Sequence, residues 1–102
     1  MADMQAAPKP SQPSQPTRPP MTRAQKLRWY ANQLIEEAVA DEKAGNPDFA
    51  VKKYLNAADI LLLLAKVEEN YTAWKYYADT AEACQKRARM LIAAAPKEEA
   101  QP

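Results

Sequence analysis

The sequence predicts an all-α fold: an antiparallel bundle of three helices behind a proline-rich N-terminal arm. Three observations carry this reading. Apolar residues recur at a helical period in three consecutive segments. A single glycine among 102 residues leaves little means of joining strands by tight hairpins. Six of the nine prolines fall within the first 20 residues, where they forbid helix, and only Pro47 lies inside the periodic region.

The arm, residues 1–21, reads "MADMQAAPKPSQPSQPTRPPM". Dense proline removes backbone donors, and its Ser and Gln residues offer nothing to bury, so a disordered or polyproline-II arm is expected. It serves as a linker or solubilising tail, with docking on an aromatic groove as the alternative. The bundle is expected over residues 22–95, and "PKEEAQP", 96–102, is a short frayed tail.

The first helix opens at Thr22 with Gln25 three residues on, the spacing of a capping box. Its inward stripe is Leu27, Ala31, Leu34 and Ala38, and Gly45 supplies a left-handed stop. Asn46 is placed to cap the second helix, Pro47 fits its first position and Asp48 suits its positive end. A stop and a start on adjacent residues force a tight helical hairpin. The second helix, from about Pro47 to Glu69, has Ala50, Tyr54, Ala57, Leu61 and Leu64 on one face. Val51, Leu55 and Leu62 lie on one flank of it, and Phe49, Ile60, Leu63 and Val67 on the other. A helix so apolar must be covered on more than one side. The third starts at Asn70 or Thr72 and ends near Ala95, with a stripe of Ala73, Tyr77, Ala81, Cys84, Ala88, Leu91 and Ala95. Small residues there permit close helix approach.

Composition excludes several functions. Basic and acidic residues number 14 and 13, a net charge of +1, which argues against a basic nucleic-acid surface or a polybasic membrane anchor. No run reaches the length of a membrane span, so no direct membrane insertion is expected. No signal-peptide layout opens the chain, and one cysteine forms no internal disulfide; a reducing, cytoplasmic setting is the expectation. Without histidine, the usual zinc sites and Ser-His or Cys-His pairs cannot assemble. One glycine cannot build a phosphate loop. Adjacent carboxylates such as Glu36 and Glu37 splay apart on a helix and read as solvated charges. No enzyme and no cofactor are expected.

The ordered series Ala38, Asp41, Gly45-Asn46, Ala50, Tyr54 and Ala57, the leucine-rich end of the second helix, and Arg87-Ala88-x-x-Leu91 resembles the microtubule-interacting-and-transport (MIT) domain. The similarity covers about residues 24–95 and is strongest to the N-terminal module of vacuolar-sorting AAA ATPases and their archaeal cell-division relatives. The resemblance implies a peptide-binding adaptor that recognises C-terminal motifs of ESCRT-III-like subunits and brings an ATPase to the polymer it remodels. The chain would then be a fragment whose ATPase domain is missing, monomeric in isolation and recruited to membranes through its partner.

Two grooves are implied. In the groove between the second and third helices, Leu62 and Ala65 would face Ala78, Gln85 and Arg89 across an amphipathic helical ligand. Gln85 stands where eukaryotic relatives carry an apolar residue, and Arg89 where they carry a glutamate. In the groove between the first and third helices, Ile35 would face Tyr76, Ala83 and Met90 across an extended, proline-containing ligand. The two departures favour this second groove. The alternative class is a scaffold, either half of a tetratricopeptide-like repeat or a self-associating hairpin.

Four further residues carry expectations. Trp29 lies off the inward stripe, for ligand contact, packing on the arm or a neighbouring molecule, or partial exposure. Trp74, flanking the third stripe, is expected in the core. Asp41, in an apolar stripe near a helix C-terminus, should have a structural partner, either the start of the second helix or the Tyr54 hydroxyl. Cys84 is expected in the core and inert.

Overall fold

The computed structural model describes residues 20–95. The expected arm therefore lies outside it except for Pro20 and Met21, and the expected tail lies outside it altogether. The chain forms α1 (Arg23–Lys43), α2 (Pro47–Val67) and α3 (Tyr71–Ala94), an up-down-up bundle with no strand among the described residues.

Local chemistry sets the boundaries. Thr22 and Gln25 form the full capping box: the Gln25 amide donates to Thr22 Oγ1 at 3.1 Å, and the Thr22 amide donates to Gln25 Oε1 at 2.8 Å. At the other end of α1, Gly45 has φ +83°. The Asn46 amide donates to the Asp41 carbonyl at 2.8 Å and the Gly45 amide to the Glu42 carbonyl at 3.1 Å, the paired bonds of a Schellman stop. Asn46 does occupy the N-cap position of α2, but its side chain makes no capping hydrogen bond. Its backbone, at φ −116° and ψ 66°, serves the Schellman turn and departs from the extended conformation of a capping residue. Asn70 is the working cap of α3, its Oδ1 accepting from the Ala73 amide at 2.9 Å. The second helix ends at Val67, two residues before the expected Glu69, where Glu68 turns extended and its carboxylate accepts from the Asn70 amide at 2.9 Å.

All three stripes face inward. Ala31, Leu34 and Ala38 of α1, Ala50, Tyr54, Ala57, Ala58, Leu61, Leu64 and Ala65 of α2, and Tyr77, Ala81, Cys84 and Ala88 of α3 make one core. Leu27, Ile35, Val51, Ile60, Ala73 and Leu91 pack against it, half-buried. Eight of the fourteen core residues are alanine, so the helices pack closely around few large side chains. α2 is the hub: α1 and α3 each pack extensively on it and approach one another far less. Burial pushes the Cys84 thiol above its ordinary pKa, in keeping with an inert core position.

Trp74 departs from expectation. It is 41% exposed, its ring stacked on Tyr71 with centroids 5.8 Å apart, and it stands about 60° around α3 from the buried Tyr77. The close helix packing gives a test at Ala88, which has no exposed surface. Ala88→Leu forces added carbons into a filled interface and should cost about 1–3 kcal/mol, read as a lowered urea midpoint. An unchanged midpoint would mean that α3 can roll to accommodate them.

Candidate peptide-binding grooves

Ion pairs fix which flank of each helix faces which neighbour. Lys53 Nζ of α2 lies 2.9 Å from Asp41 Oδ2 and 3.4 Å from Glu37 Oε1, so the Lys53, Ile60 and Val67 side of α2 faces α1. Asp41 thus has its partner on α2. Its Oδ2 is shielded from solvent and meets the ammonium at ion-pair distance but off the direction of a good hydrogen bond. The Tyr54 hydroxyl, the other candidate for Asp41, instead donates to Glu42 Oε2 at 2.6 Å. Asp41 and Glu42 project about 100° apart on the helix, and Glu42 is the one turned toward Tyr54.

Glu42 also receives Arg87 of α3. The guanidinium Nε donates to Oε1 at 3.2 Å and Oε2 at 3.1 Å, and Nη2 donates to Oε1. One carboxylate therefore ties all three helices together. The Arg87 hydrogen bond, followed by that of Tyr54, holds the Glu42 carboxyl below its ordinary 4.5. Burial, reinforced by Glu42, pushes the Tyr54 phenol up to about 12.

The Glu42–Arg87 contact also sets the register of the parallel helices α1 and α3. Ile35 lies two turns before Glu42, and Thr80 two turns before Arg87, on the same flanks. Ile35 is therefore level with Thr80, between Tyr76 and Ala83. The fold brings these residues to one seam: Ile35 half-buried against the core, Tyr76 47% exposed, Ala83 exposed and Thr80 partly so. Met90, 54% exposed, shares the flank but lies beyond Arg87, so the ion pair crosses the seam between it and Ala83. Trp29, 57% exposed, does not join the seam. It projects about 120° beyond Ile35 around α1, toward solvent. Thr80, Glu42 and Arg87 are absent from the sequence-based groove. The seven-residue spacings 35/42 and 80/87 are a signal for them, and Arg87 also opens the Arg87-Ala88-x-x-Leu91 ending.

The opposite flank of α3 carries Ala78, Gln85 and Arg89 beside α2. Ala78 and Gln85 are partly exposed and Arg89 is exposed. Across from them Leu62 is 41% exposed, but Ala65, at 9%, belongs to the core and offers almost no groove surface.

Comparison with known proteins decides nothing about kinship. No family model, curated protein or solved structure matches the chain. Among the described residues there is no cluster of His, Cys, Asp and Glu suited to a metal, and no helix long and apolar enough to cross a membrane.

Proposed function

We propose that this bundle is a peptide-binding adaptor of the MIT type, which captures a C-terminal motif of an ESCRT-III-like subunit and recruits an AAA ATPase to remodel its polymer in protein transport, membrane scission or cell division. The observation that carries the reading is the open seam between α1 and α3. Both helices are held on α2 but barely on each other, and the Glu42–Arg87 register sets Ile35, Tyr76, Thr80 and Ala83 along the line between them. An extended proline-containing peptide suits it. Such a segment has no internal hydrogen bonds to lose and is already partly stiff. Thr80 offers its backbone a hydroxyl partner. A seam this small supports affinity on the order of micromolar, about 8 kcal/mol, and oligomeric partners would raise it by avidity.

Titration of the ¹⁵N-labelled chain with C-terminal peptides of ESCRT-III-like proteins tests this. Amide shifts should gather at Ile35, Tyr76, Thr80 and Ala83. Ile35→Asp should abolish binding; because Ile35 also packs on the core, Ala83→Asp at an exposed site is the companion that leaves the fold intact. Gln85→Asp should leave binding unchanged. Loss on Gln85→Asp with Ala83→Asp tolerated would assign the ligand to the α2/α3 groove instead. A second reading, self-association, draws on Leu55 and Leu62, two turns apart on α2 and 39% and 41% exposed. Sedimentation showing a concentration-dependent dimer would favour it.

A further inference from the structure

A second concave surface lies away from both grooves. Where the first turns of α1 run beside the last turns of α2, a cleft of about 400 Å³ opens between Arg23, Ala24, Leu27, Leu63, Leu64 and Val67. Its volume falls in the lower part of the range of ligand clefts, ~300–1,000 Å³. The walls are aliphatic. Leu27 and Leu64 form the floor at the core edge, while Leu63 and Val67 stand at the rim, 55% and 76% exposed.

Its charge selects the occupant. Arg23 lines the cleft itself and Lys26 stands beside it on α1. Arg28, seven residues before Ile35, belongs instead to the flank turned toward α3, and Lys66, about 100° from Val67, projects away from α1. No acidic residue occupies the first turn of α1, so Arg23 and Lys26 add to the positive end of that helix's dipole, while the last turn of α2 brings the negative end of its own dipole to the opposite wall. The acids nearby are Asp59, Glu68 and Glu69, and the Glu68 carboxylate is engaged by the Asn70 amide. The N-terminal arm, with Lys9 and Arg18 against Asp3, carries the wrong sign for this rim. A second copy docking by two-fold symmetry would bring the same cations face to face. A lipid surface is flat, whereas the apolar area here is concave and needs side chains that enter it.

We propose that this cleft is a docking site for an acidic peptide segment, which inserts two large apolar side chains between Leu63, Val67 and Leu27 while its carboxylates meet Arg23 and Lys26. The site is independent of the α1/α3 seam: a peptide held in the seam would leave the Leu63 amide unmoved.

The test uses the full ¹⁵N-labelled chain and a synthetic peptide of leucines and glutamates, with lysine replacing glutamate in a control. The acidic peptide should shift the amides of Ala24, Leu27, Leu63 and Val67, and binding should weaken as salt is raised. Leu63→Asn and Arg23→Glu, both at exposed positions, should each weaken it about tenfold or more. Equal binding of the lysine peptide, or indifference to both substitutions, would overturn the proposal. So would the same shifts appearing with anionic vesicles but not with the acidic peptide, or on raising protein concentration alone. Movement of these amides on replacing Pro13 and Pro16 with serine, with no peptide added, would assign the cleft to the arm and overturn the proposal as well.

Discussion

Leu61→Ala should remove roughly 3–5 kcal/mol of stability, the upper part of the range for buried leucines. Leu61 has no exposed surface and is the largest side chain buried so completely. Truncation costs the transfer energy of the lost carbons plus a cavity, and the cavity term depends on how far the surroundings can collapse. Here they can collapse little. Alanines make up most of the core, and an alanine has no rotamer with which to refill a void. A domain of this size has about 4–11 kcal/mol in total, so the variant should melt many degrees lower. Thermal and urea unfolding by circular dichroism measure the loss. A deficit below ~1.5 kcal/mol would mean that α2 shifts bodily to close the gap.

The second large effect sits at Glu42. Glu42→Gln removes the charge that Arg87 and the Tyr54 hydroxyl address, and should cost on the order of 1–3 kcal/mol near neutral pH. Its pH dependence identifies the cause. The folded-state pKa of Glu42 is depressed, so its contribution is complete above the ordinary value of 4.5 and is lost as pH falls from there through the folded value. The native protein should therefore weaken in acid more steeply than the Glu42→Gln variant, and the two should converge. Tyr54 works in the opposite direction. Its pKa rises from 10.0 to about 12 on folding, so stability should decline as pH climbs through that window. Parallel acid profiles for the native protein and the Glu42→Gln variant would remove Glu42 from the account.

Much of this architecture is legible in the residues. Stripes of period 3.6 name the inward faces correctly, because burial of a helix face is a local pattern. Thr22-x-x-Gln25 and Gly45 mark their boundaries for the same reason. What depends on distance in sequence is harder to read. Tyr54 bonds Glu42 rather than Asp41 although the two carboxylates are neighbours, and only the rotation of α1 against α2 decides between them. Trp74 reads as core by its type and position, yet it stands at the edge of the stripe, stacked on Tyr71 and 41% exposed. On the candidate site, the flanks of α3 are readable, but the pairing of Ile35 with Thr80 requires the register that Arg87 sets from 45 residues away. Asn46 shows a subtler limit: its residue type fits the cap, and the competing turn uses it differently.

An odd number of helices has a mechanical consequence. The segment entering α1 and the segment leaving α3 emerge at opposite poles, separated by about 30 Å of helix. Tension between those two segments would run along the bundle axis and load α1 and α3 in shear against α2, instead of peeling one helix away turn by turn. Since α1 and α3 barely touch, α2 would transmit almost the whole force, helped only by the Glu42–Arg87 bridge. A peptide lying along the seam would give that force a second path.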